Sequence, residues 1–509
     1  MRDRMDRKAF LEKLRTGEKE YDVIVIGGGA TGLGIAVDAA SRGFSTVLLE
    51  KTDFAKGTSS RSTKLAHGGV RYLAQGNIKL VLEALKERGL MRQNAPNMVT
   101  NQCFAVPLYQ WWEIPFYFIG LKIYDLLSGK RSFGKSQFIR RGKALEAMPG
   151  ISKSGLKGAI LYHDGQFDDA LLAVALAKTA VREGALVLNH AEVVEIDKVK
   201  DQFVLTVRES LDDSYFTLRS KTLFNATGVF TDDILSMENS SSKPIIAPSQ
   251  GIHLVVDSSF WRSDWALMIP KTSDGRVLFG VPWNGKVLLG TTDTPVQKPI
   301  EEPIALDREI DFILATADHY LDRKPGREDV LSIFAGLRPL VAPREAGKST
   351  KEISRGHKIL MSEDKMITII GGKWTTYRKM AEDAINEAIA SGLIEARECR
   401  TKNLAIEEIK RPLYDEGKNE GGCSGFELTK GDIRQVIREE MACTIEDVLA
   451  RRIRILFLDA RAAIAMAPIV SEVLQEQLGD QYNAGEDLAH FIKLAESYLV
   501  ENYNQLDKE

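Results

Sequence analysis

Three glycines at the spacing Gly27-x-Gly29-x-x-Gly32, followed 18 residues later by the carboxylate of Glu50, are the first residues in this chain whose types and spacing specify a chemistry. Together they suit a dinucleotide. Gly27 makes a tight turn, Gly29 lets the backbone approach a pyrophosphate, and Gly32 permits a helix to pack closely on a strand. The helix that starts there offers amide N–H groups and the positive end of its dipole to phosphates. Glu50 is placed to accept hydrogen bonds from a ribose 2′-hydroxyl, which favours an adenosine ribose without a 2′-phosphate. A second cluster, His67-Gly68-Gly69-Val70-Arg71-Tyr72, follows the polar run Gly57 to Lys64. A histidine, an arginine and a tyrosine around paired glycines make a ligand wall.

These groups act only where the chain positions them. Val23-Ile24-Val25-Ile26 is a short β-branched run that reads as a strand buried on both faces. Leu33 to Ser41 are helix formers closed by Gly43, and Thr46 to Leu49 is a second buried strand ending at Glu50. Strand, glycines, helix, strand and acid in this order make a strong signal out of a weak motif, for FAD or NAD. Farther on, the strand Thr222 to Ala226 runs into Thr227-Gly228, a second place where backbone can meet phosphate and ribose. Met366 to Ile370 reads as another buried strand, then come Gly371-Gly372 and a helix from Tyr377 to Ser391. A strand of the first unit returning so late makes that unit discontinuous. Between them, from Ile245 to about Ser354, the pattern alternates: His253 lies on one strand, and Asn284-Gly285 joins two others as a hairpin. Helices are expected at Ile78 to Asn94 and, capped by Asp168, at Asp169 to Glu183. Beyond about Arg397 the chain is charged and helical, with a glycine-rich linker at Glu416 to Gly425 and a helix from Thr444 to Asp459.

The 509 residues, 44% hydrophobic and 27% charged, suit a globular protein of about three domains. A net charge of -3 gives no reason to expect nucleic acid. Cys103, Cys399, Cys423 and Cys443 are widely spaced, without CxxC or histidines at ligand spacing, which fits a reducing compartment and no metal site. The first 20 residues lack the apolar core of a signal peptide, and their acids argue against a mitochondrial transit sequence. No run reaches the roughly 18 apolar residues that span a bilayer. The expectation is a cytoplasmic protein, peripherally associated at most with the inner face of the membrane. Residues 104–127 are the most apolar and aromatic stretch, interrupted by Pro107, Glu113, Pro115 and Lys122. It reads as a core or inter-domain segment in preference to a membrane-surface patch.

GGGATG, TSSRSTKLAHGGVRYL, GTTDT, AGLRPL and GGKWTTYRK, in this order, resemble the FAD-dependent glycerol-3-phosphate dehydrogenases over residues 20–390, and TIEDVLARRIRILFLDA is similar to that family's helical domain. The resemblance implies an α/β architecture with a glutathione-reductase-type FAD-binding domain at 20–104, 150–240 and 356–395. It also implies an inserted antiparallel β-rich substrate domain at 105–149 and 241–355, and a C-terminal helical domain at 396–509. The implied reaction oxidises sn-glycerol 3-phosphate to dihydroxyacetone phosphate by hydride transfer to FAD, with electrons passed to a membrane quinone. The alternative acceptor is oxygen, giving hydrogen peroxide, but oxidases of this kind carry an extra inserted segment with no obvious counterpart here. A non-catalytic dinucleotide sensor is opposed by the intact cluster of His67, Arg71, His253, Arg338 and Lys373.

On this chain the phosphate dianion is expected to meet Arg71, Arg338, Arg355 and Lys373, with the Tyr72 hydroxyl. His253 is expected to take the substrate's hydroxyl proton, with His67 or an arginine-assisted water as alternatives. FAD contacts are expected at Ala30 and Thr31 beside the three glycines, and at Glu50 and Lys51. They continue through Thr58, Ser59, Ser60, Thr63, Lys64 and Leu65 to His67 and Gly68, then Val193, Ala226, Thr227 and Gly228. The last group is Gly371, Gly372, Lys373 and Thr375, ahead of a helix whose N-terminus can face the flavin N1–C2=O edge. Asp293 reads as a turn cap outside catalysis. The expected partners are the substrate, the quinone and the cytoplasmic membrane surface, with a homodimer as an option.

Overall fold

A computed structural model of the protein describes residues 5–16, 19–74, 76–272, 275–342, 356–409 and 428–502. The strand Glu20–Ile26 pairs in parallel on both sides, with Thr46–Leu49 and with the end of Ser214–Asn225, so that Val23 lies opposite Thr46 and Thr222. Leu186–Leu188 extends this sheet at one edge, and Ile367–Gly371 with His357–Met361 extends it at the other. Both faces are covered, which is why these strands are continuously apolar. Val23, Val25, Leu48 and Phe224 face the helices Ala30–Ser41, Asp169–Arg182 and Tyr377–Ala390. Ile24, Ile26, Val47 and Leu49 face the meander of Ala191–Val199, Gln202–Glu209 and Ser214–Asn225.

A second, ten-stranded sheet is built on the antiparallel pair Ile246–Asp257 and Val330–Val341. Asn284 and Gly285 join Leu278–Trp283 to Lys286–Gly290 with φ of 47° and 71°, the two positive values a type I′ hairpin turn requires. Leu65–Ala66 and Gly158–Phe167, which fall in ranges expected for the first domain, and Val99–Leu108, which straddles the expected boundary at 104/105, belong here. Val99–Leu108 pairs with Gly158–Phe167 and, through Ala266–Ile269, joins the second sheet, as does Leu65–Ala66. None of the three carries a strand reading in the sequence, and the partner of each is chosen by contacts far along the chain.

The helices Lys430–Glu440, Ala460–Leu478 and Ala484–Glu496 are not a detached cap. Leu449, Ile455, Phe457 and Phe491 share one core with Val281, Leu288 and Phe334 of the second sheet. The helix expected from Thr444 to Asp459 is broken: Asp447–Arg452 winds as a π turn, Arg454 takes φ 70°, and Ile455–Leu458 makes a final short turn. The irregular backbone lets Arg451, Arg452 and Arg454 all reach buried acids of other segments. The linker Glu416 to Gly425, Cys423 and Arg355 lie outside the described residues.

The aromatic stretch divides in two. Val99–Leu108 is a largely buried strand, but Glu113–Ser128 is a surface helix that buries only Leu121, Tyr124 and Ser128. Trp112, Phe116, Ile119, Ile123 and Leu126 recur at helical spacing on its outer side, 44–79% exposed, and Trp111 continues the stripe at 69%. Core packing was the expectation from composition; for the helix it does not hold, because aromatic content alone does not say which side a helix buries.

The closest backbone approach in the first sheet supplies a test. A Cβ at Gly32 would stand 1.9 Å from the Gly27 carbonyl oxygen and 3.4 Å from Ala226 Cβ. Gly32→Ala should destabilise the protein by at least the about 1–3 kcal/mol of an overpacked core, read as a fall in Tm. Gly120→Ala, where a Cβ meets open space on the outer helix, should not destabilise at all. Equal Tm values for the two variants would show that the helix–strand approach is looser than described.

Candidate functional site

The carboxyl ends of Glu20–Ile26, Thr46–Leu49, Ser214–Asn225 and Ile367–Gly371 open into one cleft, where ligands of parallel α/β sheets bind. Its walls include Gly27, Gly29, Ala30 and Thr31; Glu50 and Lys51; Thr58 and Ser59; Val193; Ala226, Thr227 and Gly228; and Gly371, Gly372 and Lys373. The Glu50 carboxylate accepts from Gly28 N–H at 2.6 Å and from Thr52 N–H and Oγ1 at 3.0 and 3.2 Å. Burial pushes this carboxyl above the usual range, and the Thr52 and Gly28 amides oppose the shift. Ala30 N–H, at the start of its helix, donates to Ser59 Oγ at 2.9 Å. Gly228 takes φ 62° with open space where a side chain would stand, so bare backbone faces the cleft. This donor set fits FAD: amides at a helix start for the pyrophosphate, an acid for the ribose, and Lys373 at the far end.

A second cavity, of about 220 Å³, adjoins the first and is lined by Thr63, His67, Tyr72, Arg276, Asp293 and Arg338, among others. Lys373 links the two: it lines the cleft, and its ammonium lies 5.3 Å from the Tyr72 ring centroid. The His67 N–H donates to Thr375 Oγ1 at 3.2 Å, which ties this loop to the segment after Gly371-Gly372. Gly68 N–H donates to the Tyr124 hydroxyl at 2.8 Å, and that hydroxyl donates to Asp164 at 2.9 Å. Arg338 donates to Asp293 Oδ1 at 3.2 Å, to Thr292 O at 2.9 Å and to Thr291 Oγ1 at 3.2 Å. Gly251 leaves room for it, since a Cβ there would meet the guanidinium at 2.3 Å. Arg71 lies on the short helix Val70–Ala74 beside Tyr72.

Several expected roles change. Lys64 does not face the cleft. Its ammonium is wholly buried, 2.7 Å from both Asp169 Oδ2 and the Ser60 carbonyl, among the rings of Trp283, Phe334 and Phe457. Burial pulls its pKa down to about 8. Ser60 is buried with it and serves through its carbonyl, which also accepts from Arg454. Leu65, Thr63 and His67 face the second cavity and not the cleft. Gly68 and Thr375 serve by holding the His67 loop.

His253 is the largest correction. It is 2% exposed, stacked on Phe334, and absent from the cavity wall; its Nε2 lies 2.9 Å from Thr63 Oγ1. Burial, with Lys64 and Arg338 nearby, drives its pKa well below the usual value. A general base must hold the proton it takes, and here the imidazolium would sit buried beside two cations. His253 therefore stays neutral. Its Nδ1 has no hydrogen-bond partner among the described residues, and an orphaned acceptor costs less than an orphaned donor. That assigns the proton to Nε2, which donates to Thr63 Oγ1 and leaves the Thr63 hydroxyl proton to point into the cavity. His67 is the imidazole in the wall itself.

Arg276, Thr291, Thr292 and Asp293 line the cavity without having been expected there. GTTDT was visible as a motif, yet its aspartate read as a turn cap. Arg276 carried no signal, because a lone arginine near a glycine looks like any surface charge.

Comparison with known proteins agrees with this geometry. Residues 22–377 match the family model described as FAD dependent oxidoreductase, and residues 363–483 match the C-terminal domain of alpha-glycerophosphate oxidase. The human mitochondrial glycerol-3-phosphate dehydrogenase is 38% identical over 527 residues, covering 92% of this chain and 72% of its own. The Arabidopsis thaliana mitochondrial enzyme of that name is 36% identical, covering 91% and 84%. The crystal structure of glycerol-3-phosphate dehydrogenase from Bacillus halodurans with FAD superposes with a TM-score of 0.76 at 26% identity, over 98% of this chain and 99% of that one.

The two histidines can be separated by pH. His67→Asn should slow anaerobic flavin reduction by roughly 10²–10⁴-fold and remove the acidic limb of its pH profile. His253→Asn should keep that limb, and Thr63→Val should slow the step by up to about 10²-fold without moving it. Loss of the limb in His253→Asn, with His67→Asn unaffected, returns the base to His253.

Proposed function

The chain belongs to the FAD-dependent glycerol-3-phosphate dehydrogenases of the FAD-dependent oxidoreductase family, and on that premise we propose that it oxidises sn-glycerol 3-phosphate to dihydroxyacetone phosphate and hands the electrons to a membrane quinone. One observation carries the reading: Lys373 stands where a cleft with dinucleotide donors meets a cavity lined by a histidine and two arginines. FAD, when bound, supplies the acceptor for the hydride that leaves C2 of the substrate. His67 takes the proton of the C2 hydroxyl. The Thr63 hydroxyl donates to the same oxygen as negative charge grows there, and needs no reorientation because His253 already fixes it. Arg276, Arg338 and Lys373 supply positive charge for the phosphate, and Arg71 is one residue before Tyr72 on the short helix Val70–Ala74. Asp293 balances Arg338, so the site discriminates by arrangement of charge as well as by its amount.

The acceptor reading rests on the outer face of Glu113–Ser128. Trp111, Trp112, Phe116, Ile119, Ile123 and Leu126 form a contiguous apolar stripe. Lys157 lies 5.4 Å from the Trp111 ring centroid and Lys122 lies 5.2 Å from that of Phe118. Tryptophans over an apolar stripe with lysines at its border suit the headgroup level of a bilayer. Among the described residues no helix is long and apolar enough to cross a membrane. We place the protein on the membrane surface, from the cytoplasmic side, where a lipid-dissolved quinone is within reach. Oxygen as acceptor needs no such face.

For the phosphate, Arg276→Ala and Arg338→Ala should each lower kcat/KM for glycerol 3-phosphate by about 1.5–3 kcal/mol, the worth of a hydrogen bond to a charged group. Glycerol itself should be affected far less. An unchanged preference for the phosphorylated substrate would remove both residues from phosphate recognition.

For the membrane, Trp111→Ser/Trp112→Ser should abolish flotation with liposomes and reduction of a lipid-dissolved quinone, leaving anaerobic flavin reduction intact. A variant that still floats and still reduces quinone places the membrane contact elsewhere.

A further inference from the structure

The segment from Glu50 to Arg61 has two sides. Glu50, Lys51, Thr52, Ala55, Thr58 and Ser59 are among the residues that face the cofactor cleft. The opposite side is bonded to the end of the chain. Asp53 is wholly buried, and both of its oxygens are taken: Arg452 grips it as a fork at 2.6 and 2.8 Å, and Arg451 Nε donates at 2.5 Å. Arg451 is in turn held by Asp447 at 2.6 Å and by Glu446. Lys56 pairs with Glu446 and, at 2.9 Å, with Glu302. Arg61 reaches both Glu302 oxygens at 2.7 Å, and the Tyr498 hydroxyl donates to the same carboxylate at 2.7 Å. Arg454 closes the set on the Ser60 carbonyl at 2.9 Å. Asp53, Lys56, Ser60 and Arg61 are thus fixed by residues some 390 or more positions later, or by a carboxylate that those residues share.

We propose that the C-terminal helical region, residues 428–502, is a cofactor clamp: Arg451, Arg452 and Arg454 are positioning residues that hold the cleft loop in its FAD-binding conformation, so that FAD binding and docking of this region are coupled. The argument is geometric. Of this segment Phe54 and Ala55 enter the core of the first domain, while its charged, serine and threonine residues are ordered by hydrogen bonds and ion pairs. Beyond that anchor its shape at the cleft depends on what grips its outer side, and a bidentate arginine on a buried aspartate adds geometric specificity as well as energy. The π turn at Asp447–Arg452 has its reason here, since it brings successive arginines onto the same loop. By linkage the coupling runs both ways: docking raises affinity for FAD, and FAD protects the docked region from opening. This inference rests on the reading of the cleft as the FAD site.

Arg452→Ala would strand a buried carboxylate and threatens folding, so the working variant is Asp53→Asn/Arg452→Gln, which keeps two hydrogen-bonding side chains and removes both charges. Apoprotein of the parent and of the variant is titrated with FAD by flavin fluorescence, and amide hydrogen exchange is followed with and without FAD. The expected result is a roughly 5–150-fold weaker FAD affinity in the variant, the usual span of a coupling between sites. FAD should also slow exchange at residues 447–458 as well as at 50–61 in the parent, and the 447–458 protection should shrink in the variant. A merely structural contribution would lower Tm equally with and without FAD and leave the affinity unchanged; that outcome overturns the clamp. Protection at 50–61 with none at 447–458 overturns it as well. Failure of FAD to protect 50–61 at all would instead sink the assignment of the cleft. A second variant, Glu446→Gln, which weakens the hold on Lys56 and Arg451 from the periphery of the set, should shift the affinity in the same direction by less.

Discussion

The carboxylate of Asp169 is wholly buried and accepts hydrogen bonds from Ser62 N–H and Oγ, Lys64 Nζ, Ala170 N–H and Arg454 Nη2, at 2.7–3.0 Å. Asp168, 3.4 Å from Arg454 Nε, adds a second carboxylate, so two negative charges stand against two positive ones, and the faces of Trp283, Phe334 and Phe457 surround Lys64 and Arg454. Asp169 is also the first residue of a helix, at the positive end of its dipole. Removing one member of such a buried set costs about 3–5 kcal/mol. Three parts of the protein depend on it: a helix of the first sheet, the Ser62-Thr63-Lys64 turn between the two cavities, and the C-terminal region. Because Lys64 and Ser62 are anchored, Thr63 between them is held at the cavity wall.

The same cluster sets the electrostatics of the site. Burial, with the Lys64 and Arg338 cations nearby, holds the His253 pKa well below the usual histidine range. A neutral histidine with one hydrogen bond to a threonine can orient that threonine, and in the proposed reaction the proton chemistry belongs to His67. His67 occupies a loop fixed at Thr375, and its neighbour Gly68 at Tyr124. The loop is therefore held by the segment after the last strand of the first sheet on one side and by the surface helix on the other. The proposed substrate chemistry sits where these supports converge.

Glu113–Ser128 links two scales of the molecule. Its outer side is the apolar stripe, and its inner side carries Tyr124, whose hydroxyl meets both Gly68 and Asp164, itself paired with Arg88. A single helix thus separates the proposed lipid face from the loop that carries His67. That helix packs on the loop through Tyr124, which keeps the proposed route from substrate to membrane short.

What the sequence determined by itself was local. The glycine turn, the helix at Ile78–Asn94, the Asn284-Gly285 hairpin and the late strand Ile367–Gly371 are legible because residues within a few positions of each other decide them, through positive φ, strand and helix periodicity and caps. The motifs also marked the stretches where His67, Tyr72, Arg338 and Lys373 would meet. What only the tertiary structure decided depends on partners far along the chain. The apolar strands Val99–Leu108 and Gly158–Phe167 could have joined either sheet, and pairing placed them in the second. Lys64 and His67 lie in one polar segment, and packing buried the first among aromatic rings while leaving the second at the cavity. Arg452 lies in a recognisable motif, but nothing in the sequence pairs it with Asp53, because the carboxylate and guanidinium that grip each other are 399 positions apart. The aromatic helix reads as core by composition, and only the placement of its neighbours turns most of its rings outward. Spacing along the chain reports the geometry of one turn or one strand; burial, and with it charge state and role, is a property of everything that packs around a group.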